Sequence, residues 1–170
     1  MSVNEWVELI QRQGGMCNDY MRKLNAVTNK TEMFRVICDV NGGSWLFELH
    51  ARGVQIPIDS FLKEFSNYIN GKKVMTYPND YADKKYSSKF YCRYQEENFP
   101  IKADTTLVYL LECKDAKVVV PMNHYTTLIL SHGTNADIKM LDGTRLNLEL
   151  YGDAKYNIEG DKSKIIVMQH

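Results

Sequence analysis

The chain has 170 residues, of which 44% are hydrophobic and 25% are charged. These proportions are those of a globular protein and exclude wholesale disorder. The 21 acidic and 21 basic residues cancel, so nucleic acid or an anionic membrane would have to be held by a local patch. Residues 1–10 lack the features of a signal peptide, and no apolar run is long enough to cross a bilayer. We therefore expect a cytoplasmic protein with no membrane contact.

The first part of the chain has the spacing and punctuation of helices. Ser2 and Glu5 form a capping box, in which each side chain satisfies a free backbone amide of the first turn. The apolar residues after Glu5 recur every three or four positions, which predicts a first helix. A second helix is predicted over residues 17–26. Thr31 is predicted to cap a third helix, with Phe34, Ile37 and Cys38 on its inner face.

Two further helices are expected before residue 75. One covers residues 44–51, and the other, over residues 59–70, has the most regular apolar spacing of the chain. Asn70-Gly71 supplies the stop signal for the second of them. The sequence therefore predicts a helical bundle of four or five short helices over residues 1–75.

Residues 76–104 form a connection rich in tyrosine and lysine, with one strand predicted over residues 87–94. Between residues 72 and 94, basic side chains alternate with aromatic rings. Such a stretch suits single-stranded nucleic acid, because cations neutralise phosphates while rings stack on bases. A simpler interpretation is an exposed linker and a strand whose lysines protect a sheet edge. The residues predicted to bind a partner are Lys84, Lys85, Tyr86, Lys89, Tyr91, Arg93 and Tyr94.

From residue 105 to residue 170 the chain is a series of short strand-like segments separated by turn residues such as Asp142-Gly143. The segments begin near residues 106, 117, 127, 137, 146, 155 and 164, so their spacing is nearly constant. Alternation within the segments predicts the inward side chains. These are Leu107, Tyr109, Leu111, Val118, Val120, Leu128, Leu130, Ile138, Met140, Leu146, Leu148, Leu150, Tyr156, Ile158, Ile165 and Val167.

This short repeat has two physical interpretations. In a parallel β-solenoid each segment is one side of a coil, and neighbouring coils bury a shared core. In an antiparallel meander or sandwich the same turns close hairpins. The constant spacing favours the solenoid, because connections in sandwiches vary in length. We therefore predict an α+β protein in which a helical bundle precedes an all-β unit, residues 105–170. The glycines lack the calcium-binding repeat pattern, so bound calcium is not implied.

Four strings of the chain resemble small proteins of unknown function that are encoded by phages and mobile elements of gut anaerobic bacteria. The strings are Cys38-Asp39-Val40-Asn41-Gly42, Tyr68-Ile69-Asn70-Gly71-Lys72, Tyr86-Ser87-Ser88-Lys89-Phe90-Tyr91-Cys92 and Asp104-Thr105-Thr106-Leu107. The likeness extends to the overall plan across most of the chain. It implies a bacterial or phage context and an accessory role, and it carries over no catalytic residues.

The sequence contains no glycine-rich phosphate loop, nucleophile elbow or zinc-protease helix. His124 and His132 flank one predicted strand, but two histidines without a carboxylate or cysteine partner give little support to a metal site. Scattered spacing predicts that the cysteines are small buried side chains rather than ligands; they are Cys17, Cys38, Cys92 and Cys113. The aspartates at turns are explained by local hydrogen bonds; they are Asp137, Asp142, Asp153 and Asp161. We predict no metal, no cofactor and no catalytic residue.

These observations favour a non-enzymatic binding or assembly module that acts through protein–protein contacts. Solenoid ends and edges favour self-association unless they are capped, so a homo-oligomer is one form such contacts would take. The first alternative is a nucleic-acid-binding protein that uses residues 72–94. The second alternative is a small enzyme that uses the histidines or the turn aspartates.

Overall fold

The structure of the protein, a computed structural model, describes residues 2–13, 17–37, 90–102 and 107–170. Three helices come first, and they are α1 (Val3–Gln13), α2 (Asn18–Asn25) and α3 (Lys30–Ile37). Nine strands follow, and they are β1 (Phe90–Tyr94), β2 (Pro100–Lys102), β3 (Leu107–Leu111), β4 (Ala116–Val120), β5 (Tyr125–Leu130), β6 (Asn135–Met140), β7 (Arg145–Leu150), β8 (Lys155–Glu159) and β9 (Ile165–Gln169). A short 3-10 turn, Lys162–Lys164, lies between the last two strands.

The capping box predicted at the start of α1 is confirmed. The backbone amide of Ser2 donates to the Glu5 carboxylate at 2.6 Å, and the Glu5 amide donates to the Ser2 hydroxyl at 3.3 Å. The Ser2 hydroxyl also donates to the Glu5 carboxylate, at 3.1 Å. The bonds from the Ser2 amide and hydroxyl stabilise the charged carboxylate and lower the pKa of Glu5. The second predicted helix is α2, which begins directly after Cys17 and ends before Ala26.

The predicted cap of the third helix is wrong by two residues. α3 begins at Lys30, so Thr31 lies inside it. The Asn29 side chain accepts a hydrogen bond from the Glu32 amide at 2.9 Å, and the Glu32 carboxylate accepts from the Thr28 amide at 2.9 Å. Asparagine is a stronger cap than threonine, and Glu32 stands three residues after Asn29, so the capping signal belongs to Asn29.

The three helices are short and bury a few large side chains. α2 contacts both α1 and α3. The buried residues are Trp6, Val7, Tyr20, Leu24, Met33 and Phe34. Phe34 is therefore inward, as predicted, whereas Cys38 and the predicted helices over residues 44–51 and 59–70 lie outside the described residues. The bundle of four or five helices stays a prediction.

The strands form a two-sided parallel β-solenoid, which confirms the favoured interpretation of the repeat. Odd-numbered strands make sheet A, in the order β1-β3-β5-β7-β9, and even-numbered strands make sheet B, in the order β2-β4-β6-β8. Every pair is parallel. The antiparallel meander is wrong because each strand is followed by a turn into the opposite sheet and pairs only with the strand one coil away.

The register between coils explains the spacing in the sequence. Ala116 pairs with Ala136, and Ala136 pairs with Tyr156, so one coil takes twenty residues. Each predicted segment is therefore half a coil. The steps at the described ends are shorter. Phe90 pairs with Leu107 and Pro100 with Lys117, a step of seventeen residues, and Leu146 pairs with Ile165, a step of nineteen. Observed strands begin within two residues of the predicted segment starts.

The core lies between the two sheets and is built from the inward positions of successive coils. Leu128, Leu148, Ile138 and Val118 are each at most 2% exposed. Across sheet A, the register places Leu128 directly beside Leu148, and across sheet B it places Val118 beside Ile138. Equivalent positions of successive coils thus form apolar columns along the solenoid. Burial of these columns is the main contribution to the stability of the fold.

The predicted inward positions of β3 are wrong. The core contains Val108 and Leu110 rather than Leu107, Tyr109 and Leu111, because Val108 and Leu110 pair with the inward Leu128 and Leu130. Five consecutive apolar residues, LVYLL, give no alternation from which a phase can be read. Tyr109 and Leu111 are buried as well, so the outer side of this strand is also covered.

The solenoid includes strands that lie before residue 105. β1 falls within the strand predicted over residues 87–94 and pairs with β3. β2 lies within the predicted connection and pairs with β4. β2 was not predicted, because three residues beginning with Pro100 carry no strand-like alternation.

The corners between sheets are joined by buried hydroxyl groups. The Thr134 hydroxyl donates to the Leu110 carbonyl at 3.0 Å and accepts from the Cys113 amide at 3.3 Å. At the opposite corner, the Thr144 hydroxyl donates to the Pro121 carbonyl at 3.0 Å. Each of these hydrogen bonds links one coil to the preceding coil, so the corners hold neighbouring coils in the same alignment as the strand pairing does.

One corner also favours a glycine. Gly143 has a φ of +72°, and a Cβ at this position would collide with the Asn123 side chain of the preceding coil. A side chain at this position would therefore strain the backbone, and the Asn123 side chain would have to move to make room for it.

The predicted burial of the cysteines is correct for Cys113 and wrong for Cys17, which is exposed at the start of α2. Burial raises the pKa of the Cys113 thiol to about 12, because desolvation disfavours the thiolate. Among the described helices, none is long and apolar enough to span a membrane.

We expect Thr134→Val to destabilise the solenoid by about 1–3 kcal/mol, because the isosteric side chain leaves the Leu110 carbonyl and the Cys113 amide without this partner. Urea unfolding followed by circular dichroism measures the change. Thr127→Val, at a half-buried outer position of β5, is the matched control and should change stability by less than about 0.5 kcal/mol.

The two cysteines should differ in reactivity. At pH 8 a thiol reagent should modify Cys17 in the folded protein, whereas Cys113 should react only after unfolding, because its raised pKa keeps it protonated and its side chain is buried. Site-resolved mass spectrometry of the modified peptides measures this. Equal rates at the two sites would contradict the buried position of Cys113.

Candidate protein interface at the C-terminal coil

The C-terminal coil leaves its core layer open. β8 and β9 are the last strands of their sheets among the described residues. Tyr156 pairs with the buried Ala136, and Val167 pairs with the buried Leu148. These two inward positions are nevertheless 36% and 45% exposed. They are core positions by register, but no described coil follows to cover them.

A shallow depression marks this open layer. It has a volume of about 410 Å³ and is lined by Tyr156, Asn157, Ile158, Lys162, Ile165 and Val167. Ile158 and Ile165 pack against the core from one side and form the floor. The apolar floor of this depression suits contact with another apolar surface.

β9 is apolar on its outer side as well. Ile166 is 62% exposed and Met168 is 37% exposed. In the preceding strand of the same sheet, the matching outer positions are Asn147 and Glu149. A strand that is apolar on both faces is typical of the middle of a parallel sheet, where both faces are covered. β9 has this character while standing at an edge.

The backbone of both edge strands presents hydrogen-bonding groups to the open side. The Lys155 amide donates to the Thr134 carbonyl at 2.9 Å, and the His170 amide donates to the Leu150 carbonyl at 2.9 Å. Because the direction of the N–H and C=O groups alternates along a strand, the groups of Tyr156, Ile158 and Val167 point away from the preceding coil. A row of such groups is a template for another strand.

The end of β9 is held in place by aromatic and charged side chains. The His170 ring stacks on the Tyr151 ring with 4.5 Å between centroids and 8° between planes. His170 Nε2 also lies 3.7 Å from the Glu149 carboxylate. The edge strand is therefore fixed against the preceding coil, so its apolar side chains present a defined surface.

The outer side of β8 carries polar side chains that bond along the solenoid. The Asn157 amide donates to the Asp137 carboxylate at 2.9 Å, and Lys139 Nζ lies 2.7 Å from Glu159 Oε1. Lys155, at the other end of β8, is exposed. The strand thus has a positive residue near its start and a negative residue at its end.

A second cleft lies at a corner of the solenoid and is polar. Its volume is about 440 Å³, and its lining includes Gln95, Glu97, Glu112, Lys114 and His132. His132 Nε2 lies 3.7 Å from Glu112, and Lys114 lies 3.8 Å from Glu97. The polar side chains of this cleft thus contact one another across neighbouring coils. No group of three metal-binding side chains occurs within the described part of the chain.

The aspartates and histidines named from the sequence do not converge. The Asp153 carboxylate accepts from the Gly133 amide at 2.7 Å, which lowers the pKa of Asp153. Asp161 caps the 3-10 turn through the Ser163 amide at 2.9 Å, so both act in turns as predicted. Asp137 instead lies within β6. His124 and His132 occupy different corners, one before and one after β5.

The predicted nucleic-acid site is described only in part. Lys84, Lys85, Tyr86 and Lys89 lie outside the described residues. Tyr91 and Tyr94 belong to β1, and nothing is described of their side chains. The Arg93 side chain is only 12% exposed, with its Nε 3.2 Å from the Glu96 carboxylate and its guanidinium carbon 5.7 Å from the centre of the Phe99 ring. Binding by this stretch stays a prediction.

Sequence reasoning missed the open C-terminal coil, although a signal was present. The last strand, IIVMQ, contains no charged residue and no alternation of polar and apolar positions. Treating Ile165 and Val167 as ordinary core positions hid the fact that Ile166 and Met168 are apolar too. Comparison of the chain with protein-family models, curated proteins and solved structures finds no match.

Proposed function

We propose that this protein is a non-enzymatic protein-binding module whose interaction surface is the C-terminal coil. The observation that carries the proposal is the combination of exposed core positions, an outer apolar face and open backbone edges in β8 and β9. Exposed apolar side chains beside open backbone edges, at a described end of the solenoid, support contact with another macromolecule.

A polypeptide suits this surface better than a small molecule or a nucleic acid. The outward N–H and C=O groups of Tyr156, Ile158 and Val167 repeat at the spacing of a β-strand, and a strand from another chain satisfies them directly. Its side chains would cover the open core layer. A phosphate backbone would instead require a cationic groove, whereas the outer side of β9 is apolar.

The remaining expectations accompany this proposal as predictions of the sequence. They are an origin in a phage or mobile element, a cytoplasmic location and an accessory role. The mechanism requires no proton transfer and no cofactor.

A capture experiment tests the proposal. The tagged full chain is exposed to nuclease-treated extract of the organism that encodes it, and bound proteins are quantified. We expect Ile166→Lys to reduce capture of a defined protein at least about tenfold, because a charge would have to be desolvated in the interface. Circular dichroism melting verifies that the variant folds.

Thr127→Lys, on the outer side of β5 in the same sheet, is the matched control and should retain capture. A second copy of the chain counts as a defined protein. Equal capture by Ile166→Lys and the unchanged chain would overturn the proposed surface, and recovery of nucleic acid without protein would favour the alternative function.

A further inference from the structure

The open coil also indicates what its partner is, provided that the proposed protein-binding function holds. We propose that the partner is a second copy of this chain. The two copies meet end to end across a twofold axis, so that each β8 pairs antiparallel with the β8 of the other copy and each β9 with the other β9. Both sheets then continue from one protomer into its partner.

The geometry of the coil permits this arrangement. β8 and β9 follow each other around the coil and run in roughly opposite directions on its two sides. A twofold axis perpendicular to the solenoid axis reverses each strand's direction and places it beside itself. The resulting junctions are antiparallel in both sheets, and antiparallel pairs are at least as stable as the parallel pairs within each protomer.

The direction of the backbone N–H and C=O groups restricts the register in which two copies of β8 can pair. The Lys155 amide bonds to the preceding coil, so the groups of Tyr156 and Ile158 point toward the partner. In an antiparallel pair, residues that exchange two hydrogen bonds must both point at each other. With the twofold axis at Asn157, Tyr156 faces Ile158 of the partner subunit, and the backbone groups of both residues point at each other. The symmetry produces this pair twice, once on each side of the axis.

The charges select the same register. With the axis at Asn157, Lys155 lies opposite Glu159 of the partner subunit at both ends of the junction. Cross-strand pairs of opposite charge stabilise a sheet, and like charges destabilise it. A different twofold axis would place β8 beside the partner's β9, whose five residues carry no charge. The self-complementary charge pattern of β8 therefore favours β8 against β8.

Contacts within one protomer fit the junction. Lys139 already lies 2.7 Å from Glu159, so the pairing extends this row by one more cation, Lys155 of the partner subunit. Asn157, which donates to Asp137 at 2.9 Å, meets its own counterpart on the axis. The exposed Val167 and Tyr156 are covered by the opposing core layer.

The other described end of the solenoid opposes an alternative, head-to-tail assembly. β2 has only three residues and begins with Pro100, and proline and short length both hinder edge pairing. Arg93 pairs with the inward Leu110 in register and lies 3.2 Å from Glu96, so a charged pair occupies this end of the core. A head-to-tail contact would also produce open filaments, whereas the twofold contact closes at two copies.

Charge exchange on the purified full chain tests the register. The chain has a mass of 19.7 kDa, and sedimentation equilibrium over a concentration series should show a dimer. Lys155→Glu should raise the dimer dissociation constant by roughly tenfold, because two attractive pairs become repulsive. Glu159→Lys should weaken the dimer similarly, with an added cost from Lys139 within the protomer.

The double variant Lys155→Glu/Glu159→Lys is the decisive comparison. It shares the cost at Lys139 with Glu159→Lys, but its charges are again complementary across the axis. We expect it to dimerise at least about fivefold more tightly than Glu159→Lys. Arg145→Glu, an outer position of β7 one coil away, is the matched control and should leave the dimer unchanged. No recovery in the double variant would overturn the register.

A crosslink tests the position of the axis independently. Antiparallel residues that do not exchange hydrogen bonds have Cα atoms about 4.5 Å apart, within the range that a disulfide spans. In a Cys17→Ser background, Asn157→Cys should therefore form a covalent dimer under mild oxidation. Asp137→Cys, which pairs with Asn157 one strand away, would be about 14 Å from its counterpart and should not.

The outcomes separate this inference from the proposed function. A monomer at all concentrations, with capture of another protein that Ile166→Lys abolishes, overturns the dimer and leaves the binding surface intact. A monomer that captures nothing overturns both. A polymer larger than a dimer, or equal crosslinking by Asn157→Cys and Asp137→Cys, overturns the twofold axis at Asn157.

Discussion

Hydrogen bonding between coils in parallel register, at a step of twenty residues through the middle of the solenoid, is the constraint on which the rest of this structure depends. Once Ala116 lies beside Ala136 and Ala136 beside Tyr156, the alternation of the backbone decides which side chains enter the core. The same step places the Thr134 hydroxyl within hydrogen-bonding distance of the Leu110 carbonyl and brings Gly143 next to the Asn123 side chain. Residues far apart in the sequence thus have related roles because they occupy equivalent positions in successive coils.

Stacked coils satisfy the backbone hydrogen bonds and bury the core in the middle of the solenoid, but not at its ends. An inner coil has a neighbour on each side, whereas an outer coil exposes backbone groups and half of a core layer. The two described ends of this solenoid deal with the problem differently. Arg93, Glu96 and Pro100 place charge and a missing amide at the first end. The last coil carries apolar residues on both sides of β9. The two described ends therefore differ, with charge and a proline at the first and exposed apolar side chains at the last.

The sequence predicted the solenoid well because its signals are local and repeated. Alternating residues such as Leu146, Leu148 and Leu150 show directly which side chains of a strand face inward, and the regular spacing of the segments gives the length of half a coil. Prediction failed where the pattern carries no phase, as in the uninterrupted apolar run of β3. It failed for β2 because proline and brevity conceal a strand whose place is set by the next coil. The candidate interface was missed for a related reason, since an inward residue of a last coil has the same identity as one in the middle. Whether an inward side chain is exposed depends on whether another coil covers it, and the sequence of a single segment does not contain that information.

The last described coil is hydrogen-bonded on one side only, and this determines the order in which the coils unfold locally. Peeling β9 away breaks its pairing with β7 alone, while opening β5 breaks pairing with both β3 and β7. In a nearly one-dimensional array, such unequal neighbours make the terminal unit the first to fray and the inner units the most protected from hydrogen exchange. The stack of His170 on Tyr151 acts as a latch against that fraying. A strand that docks on β9 would give the last coil a neighbour on its second side, so association would also protect this coil from fraying.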